Sequence, residues 1–206
     1  LLDWARAEGA WIVEDDYDSE FRFAGAPLTA LAGIDGAGRV IYLGTFSKTL
    51  FPGLRVGFVV VPAALAERVV TTRAVSDRFP SPLIGGALGE IIANGDFAAH
   101  LRRMRTLYRG LRDHVATALT RAAGPALTVD VPDHGLHLLA TLPEGLPAGT
   151  AREIQEEAGV EGWLLSETRL TSEGPDGFVI GYSGHEAGAL KRAAETLGRA
   201  VRRRCR

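Results

Sequence analysis

Lysine is rare in this sequence, and that makes its two lysines informative. Among 206 residues the only lysines are Lys48 and Lys191, and every other cationic side chain is an arginine. Arginine stays protonated and cannot act as an amine nucleophile, whereas a lysine amine can be tuned to attack a carbonyl. Lys48 lies in a polar, turn-rich segment, Gly44–Gly53, which suits a reactive group.

Other polar residues near Lys48 or near an earlier apolar run could complete a site. Asp15 and Tyr17 follow the apolar run Trp11–Val13, while Thr45, Ser47 and Arg55 surround Lys48. A carboxylate, a phenol, two hydroxyls and a guanidinium beside an amine match the needs of pyridoxal phosphate. That cofactor takes a lysine for its aldehyde, a carboxylate for its ring nitrogen, a donor for its phenolic oxygen and a cation with hydroxyls for its phosphate.

These residues must be positioned by strands. Short apolar runs at Trp11–Val13, Arg39–Leu43 and Leu54–Val61 predict three strands, with Lys48 in the loop between the second and third. Open α/β sheets bind ligands in the loops at their strand ends. The sequence therefore predicts that the candidate residues meet at one edge of a sheet.

The rest of the chain predicts helices and a second group of strands. Strands alternate with helices up to about Ala93, a long helical pattern covers Phe97–Ala123, and mixed strands and helices follow. The fold class expected is therefore α/β, followed by a smaller α+β domain. We place the domain boundaries at residues 1–95 for the first domain, 96–123 for a linking helix and 124–206 for the second domain.

Two runs of residues resemble a known family. The run Gly44–Gly57, which contains Lys48, resembles the lysine segment of the class I/II aminotransferases of fold type I. The run Val13–Phe23 (sequence VEDDYDSEFRF) resembles the matching segment of MocR/GabR-type regulators of the GntR family, in which a winged-helix DNA-binding domain is fused to an aminotransferase-like domain. The resemblance implies part of a fold-type-I large domain followed by a small C-terminal domain.

The resemblance also implies roles for individual residues. Lys48 corresponds to the lysine that bonds the cofactor aldehyde, and Asp15 and Tyr17 correspond to the partners of the ring nitrogen and the phenolic oxygen. The phosphate ligands implied are Thr45, Ser47 and Arg55. Asp16 is the alternative to Asp15 for the ring carboxylate; we prefer Asp15 because the Asp-x-Tyr spacing is that of the family.

One family feature is missing from the late part of the sequence. Val179 stands where aminotransferases of this type usually carry the arginine that grips the substrate carboxylate, and Arg169 is the nearby candidate to replace it. The missing arginine favours ligand sensing over turnover. We expect the chain to be the C-terminal portion of a longer protein, because it begins at Leu1 and because the family's remaining cofactor ligands, and any DNA-binding domain, lie upstream.

Two functions remain open at this point. The first is the effector-sensing, cofactor-binding domain of a transcriptional regulator, and the alternative is a free-standing aminotransferase that acts on an amino acid and a 2-oxo acid. The expected partners are a small-molecule amine or amino acid and a second copy of the chain, with DNA bound only through an upstream domain. The net charge of −2 gives no sign of a nucleic-acid partner, the single cysteine favours a cytoplasmic protein, and no apolar run is long enough to cross a membrane. The histidines show no metal-ligand spacing, so no metal partner is expected.

Overall fold

The computed structural model describes residues 1–76, 81–171 and 174–205. The chain divides into two compact units, Leu1–Arg103 and Met104–Arg206. The boundary falls inside the long helix, so the first turns of that helix belong to unit 1 and the remainder belongs to unit 2.

Unit 1 contains a three-stranded mixed sheet with helices around it. Its elements are α1 (Leu2–Ala7), β1 (Ile12–Asp16), α2 (Leu31–Ile34), β2 (Val40–Thr45), β3 (Gly57–Val60), α3 (Ala63–Ser76), α4 (Pro82–Ala93) and the start of α5 (Asp96–Ala123). The strand order is β1-β2-β3, with β1 and β2 parallel and β2 and β3 antiparallel. The three strands and the polar turn between β2 and β3 agree with the sequence-based expectation, except that β3 begins at Gly57 and not at Leu54. Leu54 lies instead in the 3-10 turn Pro52–Leu54.

The first strand is longer than its apolar run, because its acidic residues have partners. We expected a strand at Trp11–Val13 that ends before the acidic residues Glu14–Asp16, but β1 continues through Asp16. The Glu14 carboxylate accepts hydrogen bonds from the backbone N–H groups of Leu31 (2.8 Å) and Ala32 (3.0 Å) at the start of α2. Polar side chains can therefore extend the strand beyond the part that the apolar pattern marks.

A small apolar core holds β1 against α1 and β2. Ala5, Ile12 and Val40 are buried together, and partly buried apolar residues from α1 and α2 pack around them. The turn before β2 is fixed by Asp35, whose carboxylate accepts hydrogen bonds from the backbone N–H groups of Ala37, Arg39 and Val40. These bonds lower the pKa of Asp35, although burial opposes them. The start of β2 is thus set by a side chain as well as by the core.

Unit 2 contains a four-stranded antiparallel sheet with helices packed against it. Its elements are the remainder of α5, β4 (Thr128–Asp130), β5 (His137–Thr141), α6 (Thr150–Ala158), β6 (Trp163–Leu164), β7 (Gly177–Gly181) and α7 (Ala187–Arg204). The strand order is β4-β5-β7-β6. The mixture of strands and helices after Ala123 agrees with the sequence-based expectation.

The core of unit 2 forms where this sheet meets α5, α6 and α7. Leu119, Leu138, Ile154 and Val201 are each fully buried or nearly so. Tyr182 is also fully buried, and its hydroxyl donates a hydrogen bond to the carbonyl of Gly135 (2.6 Å), which satisfies the one polar atom of the ring. The second unit therefore carries a complete core of its own.

Helices α5 and α7 approach each other closely at Gly198. A Cβ atom added there would lie 2.6 Å from the Cβ of Ala122 and 3.0 Å from the backbone nitrogen of Ala123. Backbone atoms cannot move aside as a flexible side chain can, so glycine is required by the packing rather than by the conformation of α7.

We predict that Gly198→Ala lowers the free energy of unfolding by about 1–3 kcal/mol, because overpacking outweighs the better helix propensity of alanine. The matched control is Gly110→Ala in the middle of α5, where an added Cβ would meet nothing within 4 Å. That change should raise the free energy of unfolding by about 0.5–1 kcal/mol. Urea denaturation of the two variants gives both values, and equal shifts would contradict the close approach.

Candidate functional site

The parallel pairing of β1 with β2 separates the two neighbouring aspartates. Asp15 lies opposite Leu43 and Asp16 lies opposite Gly44, and successive side chains along a strand point to opposite faces of the sheet. The Asp16 carboxylate accepts hydrogen bonds from the hydroxyls of Tyr42 and Ser19, both at 2.7 Å. Asp15 is exposed and accepts no hydrogen bond from the residues that the structure describes. Asp16 is thus committed to structure, and Asp15 is available to a ligand.

Two tyrosines beside these aspartates keep their protons. Burial and the hydrogen bond to Asp16 raise the pKa of Tyr42 well above its usual value. The negative charge of Asp18 is the largest cause of a raised pKa at Tyr17, with burial and Asp15 adding to it. Tyr17 is 44% exposed, so its phenol is a protonated hydroxyl within reach of a ligand at neutral pH.

Thr45 ends β2 and links it to the segment that carries Arg55. Its hydroxyl donates to the carbonyl of Val56 (3.4 Å) and accepts from the backbone N–H of Ser47 (3.1 Å). The backbone N–H of Phe46 also donates to Val56 (3.0 Å). We expected Thr45 in a loop; pairing with Gly57 of β3 makes it the last residue of the strand instead.

Arg55 has a strained backbone. It follows the 3-10 turn Pro52–Leu54 with φ 51° and ψ 37°, and it is the only non-glycine residue with positive φ in the described ranges. An L-residue in this region costs roughly 1–2 kcal/mol relative to glycine. Its guanidinium is exposed and makes no hydrogen bond or ion pair with the described part of the chain. Strain kept at a side chain without a protein partner is typical of a ligand-binding residue.

Lys48 lies in the turn Phe46–Leu50, which follows β2 directly. The turn is closed by a hydrogen bond from the backbone N–H of Leu50 to the carbonyl of Phe46 (2.8 Å). The Lys48 side chain is exposed and has no hydrogen-bond or ion-pair partner among the described residues. The next residue, Thr49, is only 2% exposed. An amine without a carboxylate partner is therefore carried on a backbone that is itself anchored.

The anchors of this turn come from α5, and sequence reasoning missed them. His100 Nε2 lies 2.8 Å from the carbonyl oxygen of Thr49. The rings of Phe46 and Phe97 meet edge to face with centroids 5.7 Å apart. His100 is 51 residues from Thr49, and no local pattern connects the two. The only signal in the sequence is the i,i+3 spacing of Phe97 and His100, which puts both on one helix face.

Arg169 and Val179 both lie in unit 2. The Arg169 guanidinium donates to the carbonyl of Pro175 within its own loop, which favours a structural role for that side chain. Val179 lies in the middle of β7, between Leu139 of β5 and Trp163 of β6. The position at which the family usually carries an arginine is thus an aliphatic residue inside a paired strand.

Six of the seven site residues predicted from the sequence lie together in unit 1. Asp15 and Tyr17 come from the end of β1, and the others come from the end of β2 and the segment that follows it. Those other residues are Thr45, Ser47, Lys48 and Arg55. In the described ranges no cluster of three or more metal-ligating side chains occurs, and no helix is long and apolar enough to span a membrane.

The family model and the similar proteins of known sequence point to the same family. The family model for aminotransferase class I and II matches residues 1–197. The probable rhizopine catabolism regulatory protein MocR of Rhizobium meliloti is 40% identical over 197 residues, covering 96% of this chain and 40% of that protein.

Solved aminotransferases have the same fold. The kynurenine aminotransferase of Pyrococcus horikoshii superposes with a TM-score of 0.87 at 23% identity, over 100% of this chain and 51% of that one. The α-aminoadipate aminotransferase LysN of Thermus thermophilus superposes with a TM-score of 0.84 at 28% identity, over 98% of this chain and 53% of that one. The chain thus spans two fifths to about half the length of these three proteins.

The strain at Arg55 gives a prediction that needs no ligand. Replacing Arg55 with glycine relieves the positive φ, whereas Arg55→Ala removes the guanidinium and keeps the strain. We expect the free energy of unfolding of Arg55→Gly to be about 0.5–1 kcal/mol higher than that of Arg55→Ala. Thermal denaturation of the two variants measures the difference, and a less stable glycine variant would contradict the assignment of strain.

Proposed function

The chain belongs to the class I and II aminotransferase family, and on that basis we propose that it is the cofactor-binding, effector-sensing part of a MocR-type transcriptional regulator. The observation that carries the proposal is the 40% identity to MocR over 96% of this chain. The solved aminotransferases are more distant in sequence, at 23% and 28% identity.

The cofactor is pyridoxal phosphate, in agreement with the family and with LysN, which was solved with N-(5'-phosphopyridoxyl)-L-leucine. When bound, pyridoxal phosphate holds an amine through its aldehyde and draws electrons from the bonds beside that nitrogen. The groups in unit 1 fit it chemically. A lysine, a carboxylate and a guanidinium, at Lys48, Asp15 and Arg55, have no protein partner in the described ranges.

Each of these groups has a defined task in the proposed site. Lys48 would supply the amine that bonds the aldehyde, a role that a lysine can fill and an arginine cannot. Asp15 holds a proton on the ring nitrogen, because an ionised carboxylate beside it favours the charged form of the ring. Tyr17 donates its hydroxyl to the phenolic oxygen, a task that its raised pKa permits at neutral pH.

The phosphate is held by the end of β2 and the segment after it. Thr45 and Ser47 supply hydroxyls, and Arg55 can fork onto two phosphate oxygens. The backbone of these residues is tied together through Val56, which accepts from both Thr45 and Phe46. The free energy of binding a phosphate with two negative charges would also offset the cost of the positive φ at Arg55.

The ligand that we propose for sensing is an amine or an amino acid. Val179 replaces the arginine that would grip a substrate carboxylate, so repeated turnover of ordinary amino acids is disfavoured. Arg169 is the remaining candidate for that contact, although its bond to Pro175 makes it a weak one. The other partners proposed are a second copy of the chain and, through a separate domain, DNA; the setting proposed is the cytoplasm.

A free-standing aminotransferase is the second candidate, favoured by the likeness to LysN at 28% identity. The reading frame upstream of Leu1 separates the two candidates. A winged-helix region supports the regulator, and a plain aminotransferase N-terminus supports the enzyme.

We predict that borohydride reduction of the intact protein with pyridoxal phosphate attaches the cofactor to Lys48, because reduction makes the bond between the aldehyde and the amine permanent. Lys48→Ala should abolish the labelling. The control is Lys191→Ala: Lys191 is an exposed residue of α7 whose amine lies 3.9 Å from Glu195, and its loss should leave labelling unchanged. Peptide mapping that found the label on Lys191 would overturn the proposed site.

The two aspartates give a second prediction on the intact protein. Asp15→Asn should weaken pyridoxal phosphate binding about tenfold or more, because a charge-assisted hydrogen bond to the ring is lost. Asp16→Asn should mainly lower the melting temperature, because it weakens the contacts with Tyr42 and Ser19. Titration with the cofactor and thermal denaturation measure the two effects. The reverse pattern would transfer the ring contact to Asp16.

A further inference from the structure

The first turn of α5 holds the turn that carries Lys48 at two points. Phe97 contacts the ring of Phe46, and His100 hydrogen-bonds the carbonyl of Thr49. Phe46 precedes Ser47 and Lys48 in the chain, and Thr49 follows them. Ser47 and Lys48 are therefore bracketed by two residues that contact the same face of α5.

The hydrogen bond shows which ring nitrogen of His100 must carry a proton. A carbonyl oxygen can only accept, so His100 Nε2 must carry the proton and donate to Thr49. His100 is partly buried and Thr49 is only 2% exposed, so water competes poorly for this hydrogen bond. The interaction joins residues 51 positions apart and lies within unit 1.

Lys48 depends on this anchor because its own side chain has none in the described ranges. Its amine sits at the end of four rotatable carbons, so only the backbone decides which region the amine samples. The local bond from Leu50 to Phe46 closes the turn, but it does not tie the turn to the rest of unit 1. Phe46, before Lys48, is tied to β3 through Phe58 and to α5 through Phe97. The bond from His100 to Thr49 ties the part of the turn that follows Lys48.

We propose that His100 is a positioning residue for Lys48: its Nε2–H holds the Thr49 carbonyl and so keeps the lysine turn in the orientation from which the amine meets the cofactor aldehyde. The proposal rests on the proposed function only in taking Lys48 as the reactive lysine. The restraint on the turn itself is independent of any cofactor.

The experiment uses the intact protein and three variants. His100→Leu removes the donor while keeping a side chain of similar bulk, and His100→Gln restores an N–H donor at a similar reach. His114→Leu is the matched control, since it makes the same change at an exposed histidine of the same helix. Hydrogen exchange of the Leu50 amide, measured without cofactor, reports how often the lysine turn opens. The rate of borohydride-trappable attachment to Lys48 after addition of pyridoxal phosphate reports the position of the amine.

We expect His100→Leu to speed exchange at Leu50 about fivefold and to slow attachment at Lys48 by a similar factor, as loss of one hydrogen bond implies. His100→Gln should recover most of both effects, and His114→Leu should change neither. Wild-type exchange and attachment rates in His100→Leu would overturn the proposal, as would a glutamine variant as impaired as the leucine variant. If the wild-type protein itself shows no label on Lys48, the proposed function fails, while the exchange of Leu50 still tests the restraint by His100.

Discussion

Side-chain alternation along the parallel pair β1–β2 is the constraint on which the site depends. It puts Asp15 and Thr45 on one face of the sheet, and Asp16, Tyr42 and Gly44 on the other. A shift of one residue in the pairing would exchange the two faces. The hydrogen bond between Tyr42 and Asp16 opposes such a shift, because it ties the two strands together through side chains as well as backbone. By holding this register, Asp16 ensures that Asp15 is the aspartate available to a ligand.

The face opposite Asp15 serves as an anchor. The ring of Phe58 lies over Gly44, where an added Cβ would come within 2.2 Å of it, so the glycine makes room for the aromatic side chain. Phe58 in turn contacts Tyr42 (6.1 Å between centroids) and Phe46 (5.7 Å), and Phe46 contacts Phe97. A continuous row of rings thus runs from the strand pair to the first turn of α5. The turn with Lys48 begins on this row, so its position follows from the packing of the sheet.

The sequence predicts the elements of this arrangement better than its contacts. Strands and helices follow from apolar periodicity, and the lysine loop follows from its turn residues and its family resemblance. Periodicity failed at Glu14–Asp16, where polar partners rather than burial extend the strand. It also says nothing of the bond between His100 and Thr49, because a contact across 51 residues is set by the fold and leaves no local pattern. Polar contacts between residues far apart in the chain are therefore the part of the site that the sequence does not predict.

Lys48 and Arg55 of unit 1 differ from two arginines of unit 2 in how their charges are used, and this difference bears on function. In unit 2 Arg112 is 8% exposed, donates to the carbonyl of Pro132 and pairs with Asp113, while Arg169 donates to Pro175. Those arginines stabilise loops and helix contacts. In unit 1 Lys48 and Arg55 make no such contact with the described residues, although one lies on an anchored turn and the other on a strained backbone. Restraining the backbone of a cation while leaving its charge without a protein partner does little for folding. It does prepare that side chain for an anionic or electrophilic ligand, because the entropy of ordering the backbone is lost before the ligand arrives.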